Sequence, residues 1–292
     1  MLAVAIAKRI GARKLVTAHV YGHDLLMPIE HSIGPIMELF PNFNRPLALT
    51  AQAIAERNGS NPRLVVVDVG ANIGDSVALI EEKCSGIGQF LCIEPDPELA
   101  ELCKINFPSD RVRVERCLIG ENEGMSAWLN DDEGRANPST RLIKPTGTES
   151  SGNRLVRLDT VAAKFAQAHG ALDLIKVDTE GYDFSVLRSA SRMLEEYRPA
   201  LYFEWYPKLL REFDEQPSAG FVQFKKLGYS YYAFFTNQGH FYCSSDEPDP
   251  TFLGDLETVT LRGGPITYFD VFASTDKRAR DRIVELSSAK AP

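Results

Sequence analysis

The feature that most constrains the fold is a buried apolar run that ends in a glycine-rich turn. Leu64–Gly70 reads LVVVDVG, and a continuous β-branched run of this kind predicts a parallel strand covered on both faces. The turn from Gly70 to Gly74 holds small residues, and a helix is predicted from Asp75 to Cys84. A strand, a tight turn and a helix in this order predict the first unit of an α/β sheet.

The same alternation continues along the chain. Further strands are predicted at Gln89–Ile93, Val112–Ile119, Leu172–Asp178 and Ala200–Tyr206, with the helix Pro97–Asn106 among them. The other predicted elements are a strand at Arg154–Leu158, helices at Thr160–His169 and Asp183–Tyr197, and aromatic strands at Tyr229–Phe235 and Tyr268–Ala273. Strands and helices at this spacing predict a mostly parallel sheet.

Changes in composition divide the chain into three predicted parts. Residues 1–60 are predicted to be an N-terminal helical cap with a role in substrate recognition, because Leu47–Arg57 is a good helix that ends at Asn58-Gly59. Residues 61–275 form the main domain, and 276–292 form a C-terminal tail. The polar stretch Gly120–Asn153 interrupts the strand–helix rhythm and is predicted to be an insertion with room for a hairpin.

Charge and cysteine content exclude several classes of protein. The 292 residues include 32 basic and 40 acidic ones, for a formal charge of −8, and no basic stripe favours a nucleic-acid partner. The five cysteines form no CxxC pair, so we expect reduced thiols. The N-terminal apolar run is too short for a signal peptide and no stretch reaches transmembrane length. We expect a cytoplasmic protein, for which a homo-oligomer is compatible with the sequence.

The glycine-rich turn is a candidate cofactor site. Gly70, Ala71, Asn72 and Gly74 let a ligand approach the backbone, but the turn lacks the G-x-G-x-x-G spacing that a diphosphate needs. Because Asp68 immediately precedes the turn, the site suits a ligand with a cationic amine, such as S-adenosylmethionine. A purely structural strand-to-helix turn is the alternative.

A second acidic feature supports an adenosyl ligand. Glu94, Pro95 and Asp96 follow the second strand, twenty residues after Gly74, where a carboxylate can accept both ribose hydroxyls. Capping of the next helix is the alternative function for these acidic residues. By position alone, Cys117 and Leu118 at the end of the third strand are predicted to contact the adenine.

Three carboxylates are candidate catalytic groups. Asp178 and Glu180 follow the fourth predicted strand, in the crevice where open α/β sheets bind ligands. They are predicted to orient a substrate hydroxyl or remove its proton, and Asp178 also to contact the cofactor. The alternatives are a helix cap or a divalent cation held by oxygen ligands, which is not favoured, and no metal ligands are assigned. Glu204, beside Trp205 and Tyr206, suits a sugar ring, although an aromatic strand end that fills the core fits equally well.

The histidines carry less information. His19, His23 and His31 lie in the N-terminal cap and His240 lies near the C-terminus. None has a metal-ligand spacing with a cysteine or carboxylate, so surface positions or satisfied polar roles are predicted for all of them.

Between Leu64 and Pro207 the sequence resembles the FkbM family of methyltransferases. The resemblance rests on VDVGANIGDS, CIEPDP, RLVRLDTVAA, LIKVDTEGYDFSVLRSASRML and RPALYFEWYP. It implies a Rossmann-like class I methyltransferase sheet with an antiparallel strand near the C-terminus, and S-adenosylmethionine as cofactor, released as S-adenosylhomocysteine. The cofactor residues that it implies are Asp68, Gly70, Asn72, Gly74 and Glu94, with Asp178 and Glu180 at the acidic turn.

The resemblance implies an O-methyltransferase whose acceptor is a hydroxyl of a sugar, a glycan, or a glycosylated or polyketide-type natural product. The chain ends, before about Pro62 and after Lys208, show no match and are where we expect acceptor choice to lie. An NAD-dependent oxidoreductase on the same sheet and a non-catalytic S-adenosylmethionine-binding scaffold are the rival functions. A nucleic-acid methyltransferase is disfavoured because KVDTEGYD is not the Asn/Asp-Pro-Pro-aromatic element usual in that class.

Overall fold

A computed structural model describes residues 14–59, 62–124, 126–130, 141–143 and 153–289. Its N-terminal part combines a β-hairpin with two helices, whereas the sequence predicts helix alone. The hairpin pairs Leu15 with Pro28 and Val20 with His23 around a two-residue turn at Tyr21-Gly22. The elements are β1 (Leu15–Val20), β2 (His23–Pro28), α1 (Ile33–Leu39) and α2 (Arg45–Arg57).

The central part begins with the predicted strand, turn and helix. These are β3 (Leu64–Val69), α3 (Asp75–Cys84), β4 (Gly88–Ile93), α4 (Pro97–Asn106), β5 (Val112–Glu115), β6 (Leu118–Ile119), β7 (Ser126–Asn130), β8 (Arg141–Ile143), β9 (Asn153–Val156), α5 (Leu158–His169) and β10 (Leu174–Val177).

The C-terminal part contains more elements than the sequence predicts. These elements are α6 (Asp183–Arg188), α7 (Ser191–Tyr197), β11 (Ala200–Trp205), α8 (Pro207–Glu212), α9 (Ala219–Lys226), β12 (Tyr231–Thr236), β13 (Phe241–Asp246), α10 (Pro250–Leu261), β14 (Phe269–Ser274) and α11 (Lys277–Ser288). The sequence does not predict β13 or the helices α8 to α11. The helix α11 lies in the predicted C-terminal tail and packs against α2.

The large sheet has eight strands in the order β13-β12-β14-β11-β10-β3-β4-β5. The strands β11, β10, β3, β4 and β5 are parallel, and β14 lies antiparallel between β11 and β12. This arrangement confirms the predicted mostly parallel sheet with an antiparallel strand near the C-terminus. The strand order reverses between β3 and β10, which opens a crevice at their carboxyl ends where α/β proteins bind ligands.

Two predicted elements are divided in the structure. The sequence predicts a third strand from Val112 to Ile119, but β5 ends at Glu115. Arg116 is exposed and lies outside both strands, and Leu118–Ile119 pairs with β9 instead. A smaller sheet with the order β6-β9-β7-β8 combines β6 and β9 with β7 and β8 of the predicted insertion, and β7 and β8 pair antiparallel.

The second divided element is the helix predicted from Asp183 to Tyr197. It breaks between α6 and α7, where the buried Ser189 hydroxyl donates to the carbonyl of Val186 at 2.6 Å and accepts from the amide of Leu158 at 3.0 Å. A serine that binds nearby backbone groups competes with the helical pattern, so the helix ends there.

Side chains alternate between the two faces of the large sheet. Val65, Val67 and Val69 of β3 pack on the face covered by α5 to α7, α9 and α10, whereas Val66 packs on the face covered by α2, α3 and α11. The period of two places Asp68 on that second face too. This face also carries Lys176 of β10 and Tyr202 and Glu204 of β11. Its charged residues lie near the carboxyl ends of these strands, and the remainder of the face is apolar. No helix within the described ranges is long and apolar enough to cross a membrane.

Candidate active site

The glycine-rich turn brings the ends of β3 and β10 into close contact. Gly70, Asn72 and Gly74 all have positive φ, at 81°, 48° and 88°. A Cβ atom at Gly70 would lie 2.0 Å from the carbonyl oxygen of Asp178. Only glycine fits at this position, because the backbone conformation and the lack of space both exclude a side chain.

Lys176 is the charged centre beneath the turn. Its Nζ lies 3.0 Å from Oδ1 of Asp68, 2.8 Å from the Gly70 carbonyl oxygen to which it donates, and 3.8 Å from Oδ2 of Asp178. Burial opposes the charged ammonium, but the carboxylates of Asp68 and Asp178 outweigh it, and the pKa of Lys176 is raised. The lysine therefore ties the end of β3 to the end of β10.

Asp68 lies beneath the surface of the cleft, and its contact with a cationic amine stays a prediction. Its side chain is 1% exposed and faces Lys176 on the neighbouring strand. Burial raises the pKa of Asp68 to about 6, and Lys176 only partly offsets this. In this structure the carboxylate forms an ion pair with the ammonium of Lys176.

Glu94 connects the turn to the end of β4. It is 4% exposed, and its two carboxylate oxygens accept the amides of Asn72 and Asp96, each at 2.9 Å. Burial raises the pKa of Glu94 to about 7, against the lowering effect of these hydrogen bonds. Each oxygen retains a lone pair for a ligand hydroxyl. Asp96, by contrast, caps α4 by accepting the amides of Glu98 and Leu99 at 2.7 and 3.0 Å.

One cleft brings many of the predicted site residues together. Those on its surface are Gly70, Asn72, Glu94, Pro95, Cys117, Leu118, Asp178 and Glu180. Those off its surface are Asp68, Ala71, Gly74, Asp96 and Glu204. Ala71 lies in the apolar core, a Cβ at Gly74 would lie 2.8 Å from the ring of Phe107, and Glu204 is 8% exposed on β11. The cleft lining that sequence reasoning missed is His31, Ser32, Ile33, Ile36, Phe43, Asn44, Val69, Asp75, Ile93, Leu99, Ile119, Lys176 and Thr179.

His31 is the missed residue with the clearest role. It is 7% exposed, its Nδ1 accepts the amide of Ile33 at 3.3 Å, and its Nε2 lies 3.2 Å from Oδ1 of Asn72. Since Nδ1 accepts, Nε2 carries the proton and donates to Asn72. The segment after the hairpin thus holds the left-handed Asn72 of the glycine-rich turn. No spacing in the sequence pairs His31 with a residue forty-one positions away.

We expect His31→Ala to weaken binding of S-adenosylhomocysteine about fivefold to tenfold, because loss of one buried hydrogen bond costs about 1 kcal/mol and loosens the turn. Isothermal titration calorimetry measures this change. His19→Ala is the matched control, since His19 is exposed and binds only Asp24 among the described side chains. Equal affinities for the two variants would contradict a positioning role for His31.

Carboxylates lie beside the cleft at the ends of β10, β11 and β14. Asp178 is 49% exposed at its side chain and borders the cleft with Glu180, whose φ is 54°. Burial, together with the charges of Asp178 and Glu180, raises the pKa of Glu204 well above its usual range. Asp270, which pairs in register with Glu204, has its pKa raised to about 8, chiefly by burial. A charged residue inside the apolar run FDVF is the signal that could have identified Asp270.

Within the described ranges, no group of three or more histidine, cysteine, aspartate or glutamate side chains could hold a metal ion.

The sequence of the site decides the family. A profile of the FkbM methyltransferase domain matches residues 68–231, more than half of the chain, from the glycine-rich turn through the acidic turn to β12. The chain belongs to the FkbM methyltransferase family. Among curated proteins, no relative matches the sequence.

Solved structures similar to this FkbM protein have low sequence identity. FkbM methyltransferase from Methylobacillus flagellatus KT is 18% identical with a TM-score of 0.40, and the match covers 72% of this chain and 43% of that one. TYW2 from M. jannaschii, solved with AdoMet, is 15% identical over 90% and 86% of the chains, with a TM-score of 0.43. The plantazolicin methyltransferase BpumL, solved with SAH, is 10% identical over 83% and 88%, with a TM-score of 0.39. The chain thus spans less than half of the M. flagellatus FkbM protein, and the family assignment rests on the sequence match.

Proposed function

We propose that the cleft binds S-adenosylmethionine and that the protein transfers its methyl group to a hydroxyl of a sugar, a glycan, or a glycosylated or polyketide-type natural product. The observation that carries the proposal is the convergence of the Gly70 turn, Glu94 and Asp178 on one cleft in a methyltransferase-family domain. The hydroxyl acceptor and its class go beyond the family match and are the finer part of the proposal.

The chemistry of the cleft supports a cationic adenosyl ligand over a dinucleotide. Among the described lining side chains, the only ammonium is that of Lys176, which already binds Asp68 and the Gly70 carbonyl, and there is no guanidinium. A diphosphate would therefore meet Asp75 and Asp178 without a free cation to neutralise it. A ligand with a positive charge at that end fits the same residues.

The remaining lining suits the adenosine part. Glu94 offers its free lone pairs to the ribose hydroxyls, as carboxylates at the second strand of such sheets do. The apolar side chains of Ile93, Leu118 and Ile119 provide a surface for the adenine. His31 and Asn72 fix the turn on the opposite side.

When bound, S-adenosylmethionine supplies a methyl group on a sulfonium, which is already activated for displacement. The chain's own contribution is to orient the acceptor hydroxyl and take up its proton. Asp178 and Glu180 both border the cleft and are the candidate bases. Nζ of Lys176 lies 3.8 Å from Oδ2 of Asp178. Glu204 lies on β11 beneath the cleft surface, and we expect it to help shape the acceptor site.

Cofactor affinity should depend on pH through Glu94. Its ionised form accepts the ribose hydroxyls, and its pKa in the free protein is raised to about 7, so protonation below this value competes with binding. From about pH 8 to about pH 6 we expect the dissociation constant of S-adenosylhomocysteine to rise about tenfold. Calorimetric titrations across this range measure the effect, with Glu94→Gln as the variant whose affinity stays flat. A wild-type affinity that is flat over the same range would contradict the role of Glu94.

The activity is tested by incubating the protein with S-adenosylmethionine labelled on the methyl group and a panel of mono- and oligosaccharides and glycosylated polyketides. Mass spectrometry should detect label on an oxygen of at least one panel member, with one S-adenosylhomocysteine formed per product. Hydride transfer from NADH to a panel member, with no labelled product, would overturn the proposal in favour of the oxidoreductase.

A further inference from the structure

Three carboxylates form a row across the sheet beside the cleft. Val177, the last residue of β10, pairs in register with Phe203 of β11, so Asp178 follows β10 at the position beside Glu204. Glu204 pairs with Asp270 of β14. Adjacent strands lie about 4.8 Å apart, and all three residues occupy the same sheet face as Lys176. We call Asp178, Glu204 and Asp270 the acidic row.

The acidic row is continuous with the cleft at one end and buried at the other. Asp178 borders the cleft, whereas Glu204 and Asp270 are each 8% exposed. The row therefore leads from the proposed cofactor site towards β14, which is the side left for a methyl acceptor. Nζ of Lys176 lies 3.8 Å from Oδ2 of Asp178. This ammonium is already paired with Asp68 on the neighbouring strand.

The middle of the row has an unused acceptor. Oε2 of Glu204 is buried and accepts no hydrogen bond from any residue that the structure describes. A buried carboxylate oxygen without a donor is costly, and such atoms are exceptions among the buried polar groups of native proteins. This atom points to a ligand that brings its own hydrogen-bond donor.

Two aromatic rings border the row at the sheet edge. Tyr206 lies two residues after Glu204, and Tyr268 lies two residues before Asp270 on the paired strand. Their ring centroids are 5.6 Å apart. Both side chains are partly buried. Carboxylates below and aromatic faces above form the environment that proteins use for ammonium groups, through charge-assisted hydrogen bonds and cation–π contacts.

We infer that the acidic row binds a positively charged amino group of the methyl acceptor, so that the acceptor is a hydroxylated amine such as an amino sugar unit. This inference rests on the proposed function, of which it specifies the substrate class. An ammonium group supplies three donors and one charge, which matches the orphaned Glu204 oxygen and the surplus of carboxylates. A bound ammonium favours the ionised forms of Glu204 and Asp270, whose pKa values burial raises in the free protein, whereas a neutral sugar does not.

The test compares matched probes on the protein saturated with S-adenosylhomocysteine. The probes are methyl glucoside and a set of methyl glucosides in which one hydroxyl at a time is replaced by an amino group. NMR titration measures each dissociation constant. We expect at least one amino sugar to bind tenfold or more tightly than methyl glucoside, and Glu204→Gln to remove this difference. Glu195→Gln, the same change at an exposed position on α7, should preserve it.

Several controls keep the result interpretable. A thermal melt and S-adenosylhomocysteine binding establish that Glu204→Gln is folded, and Asp270→Asn is the second variant if it is not. Failure of the wild type to bind S-adenosylhomocysteine would refute the proposed function, whereas normal binding without any preference for amino sugars would refute only this inference. A preference that survives in both variants would also overturn it.

Two further outcomes separate the amine from other ligands. If magnesium chloride displaces the amino sugar at constant ionic strength, and does so only with Glu204 intact, the row is a metal site and the inference is wrong. If the enzyme methylates the amino sugar on nitrogen, the amine site is supported and the proposed O-methyl transfer is overturned.

Discussion

Asp178→Asn is expected to lower the rate of methyl transfer by about 10²–10⁴-fold, the range that loss of a general base produces. Asp178 borders the cleft, lies 3.8 Å from Lys176 and begins the acidic row. The amide keeps the shape of the side chain but cannot take up the proton of the acceptor hydroxyl. Single-turnover kinetics with bound cofactor and a hydroxyl acceptor from the panel measure the chemical step without product release.

The companion variant Glu180→Gln distinguishes the two candidate bases. We expect it to lower the rate less than Asp178→Asn, because Asp178 lies 3.8 Å from Lys176 and begins the acidic row. Glu195→Gln controls for the loss of one negative charge. If Asp178→Asn and Glu180→Gln both retain wild-type rates with cofactor bound, neither carboxylate is the base.

Gly70→Ala is expected to abolish measurable binding of S-adenosylhomocysteine, with a loss of affinity above about 100-fold, or about 2.7 kcal/mol. The added Cβ would lie 2.0 Å from the carbonyl oxygen of Asp178, which forces the ends of β3 and β10 apart. The residue would also adopt a φ of 81°, which costs an alanine about 1–2 kcal/mol. Calorimetry measures the affinity, and urea unfolding measures the change in the free energy of unfolding.

Gly86→Ala provides a matched control for backbone strain. Gly86 has a similar φ of 78°, but a Cβ there has nothing within 4 Å. The control should therefore lose about 1–2 kcal/mol of unfolding free energy and keep its affinity for S-adenosylhomocysteine. Equal loss of affinity in the two variants would mean that strain alone, and not the contact with Asp178, explains the effect of Gly70→Ala.

The fold was predictable from sequence because its sheet strands are strongly patterned. The strands β3, β10 and β11 are apolar runs with one charged residue each, and this pattern differs from that of the helices between them. The third strand was predicted too long, since the sequence does not reveal that Leu118 and Ile119 leave the large sheet to pair with β9.

The candidate site was predictable where it lies on strand ends and unpredictable where it depends on distant contacts. Glu94 and Asp178 follow apolar strands, so their positions in the crevice follow from the order of the sheet. The contact of His31 with Asn72 joins the N-terminal segment to the turn, and no local pattern encodes it. The sequence predicts that Asp68 faces the ligand because this residue immediately precedes the turn. Its partner Lys176 lies on a strand more than a hundred residues later, so no local pattern reveals their ion pair.

The burial of Glu204 and Asp270 has the same origin. Their pairing depends on β14 entering the sheet antiparallel beside β11, and the sequence predicts both strands without predicting which residues face each other. Register is set by the side chains that pack on each face. The acidic row therefore emerges only when the strands are placed together.

The most direct test of the central claim is a calorimetric titration of the wild-type protein with S-adenosylhomocysteine and, separately, with NAD⁺. S-adenosylhomocysteine should bind at one site per chain with a dissociation constant on the order of micromolar, about −8 kcal/mol. NAD⁺ should bind at least about 100-fold more weakly, since the described side chains of the cleft offer no free cation to its diphosphate. Binding of NAD⁺ as tightly as S-adenosylhomocysteine, or no binding of S-adenosylhomocysteine at all, would contradict the account.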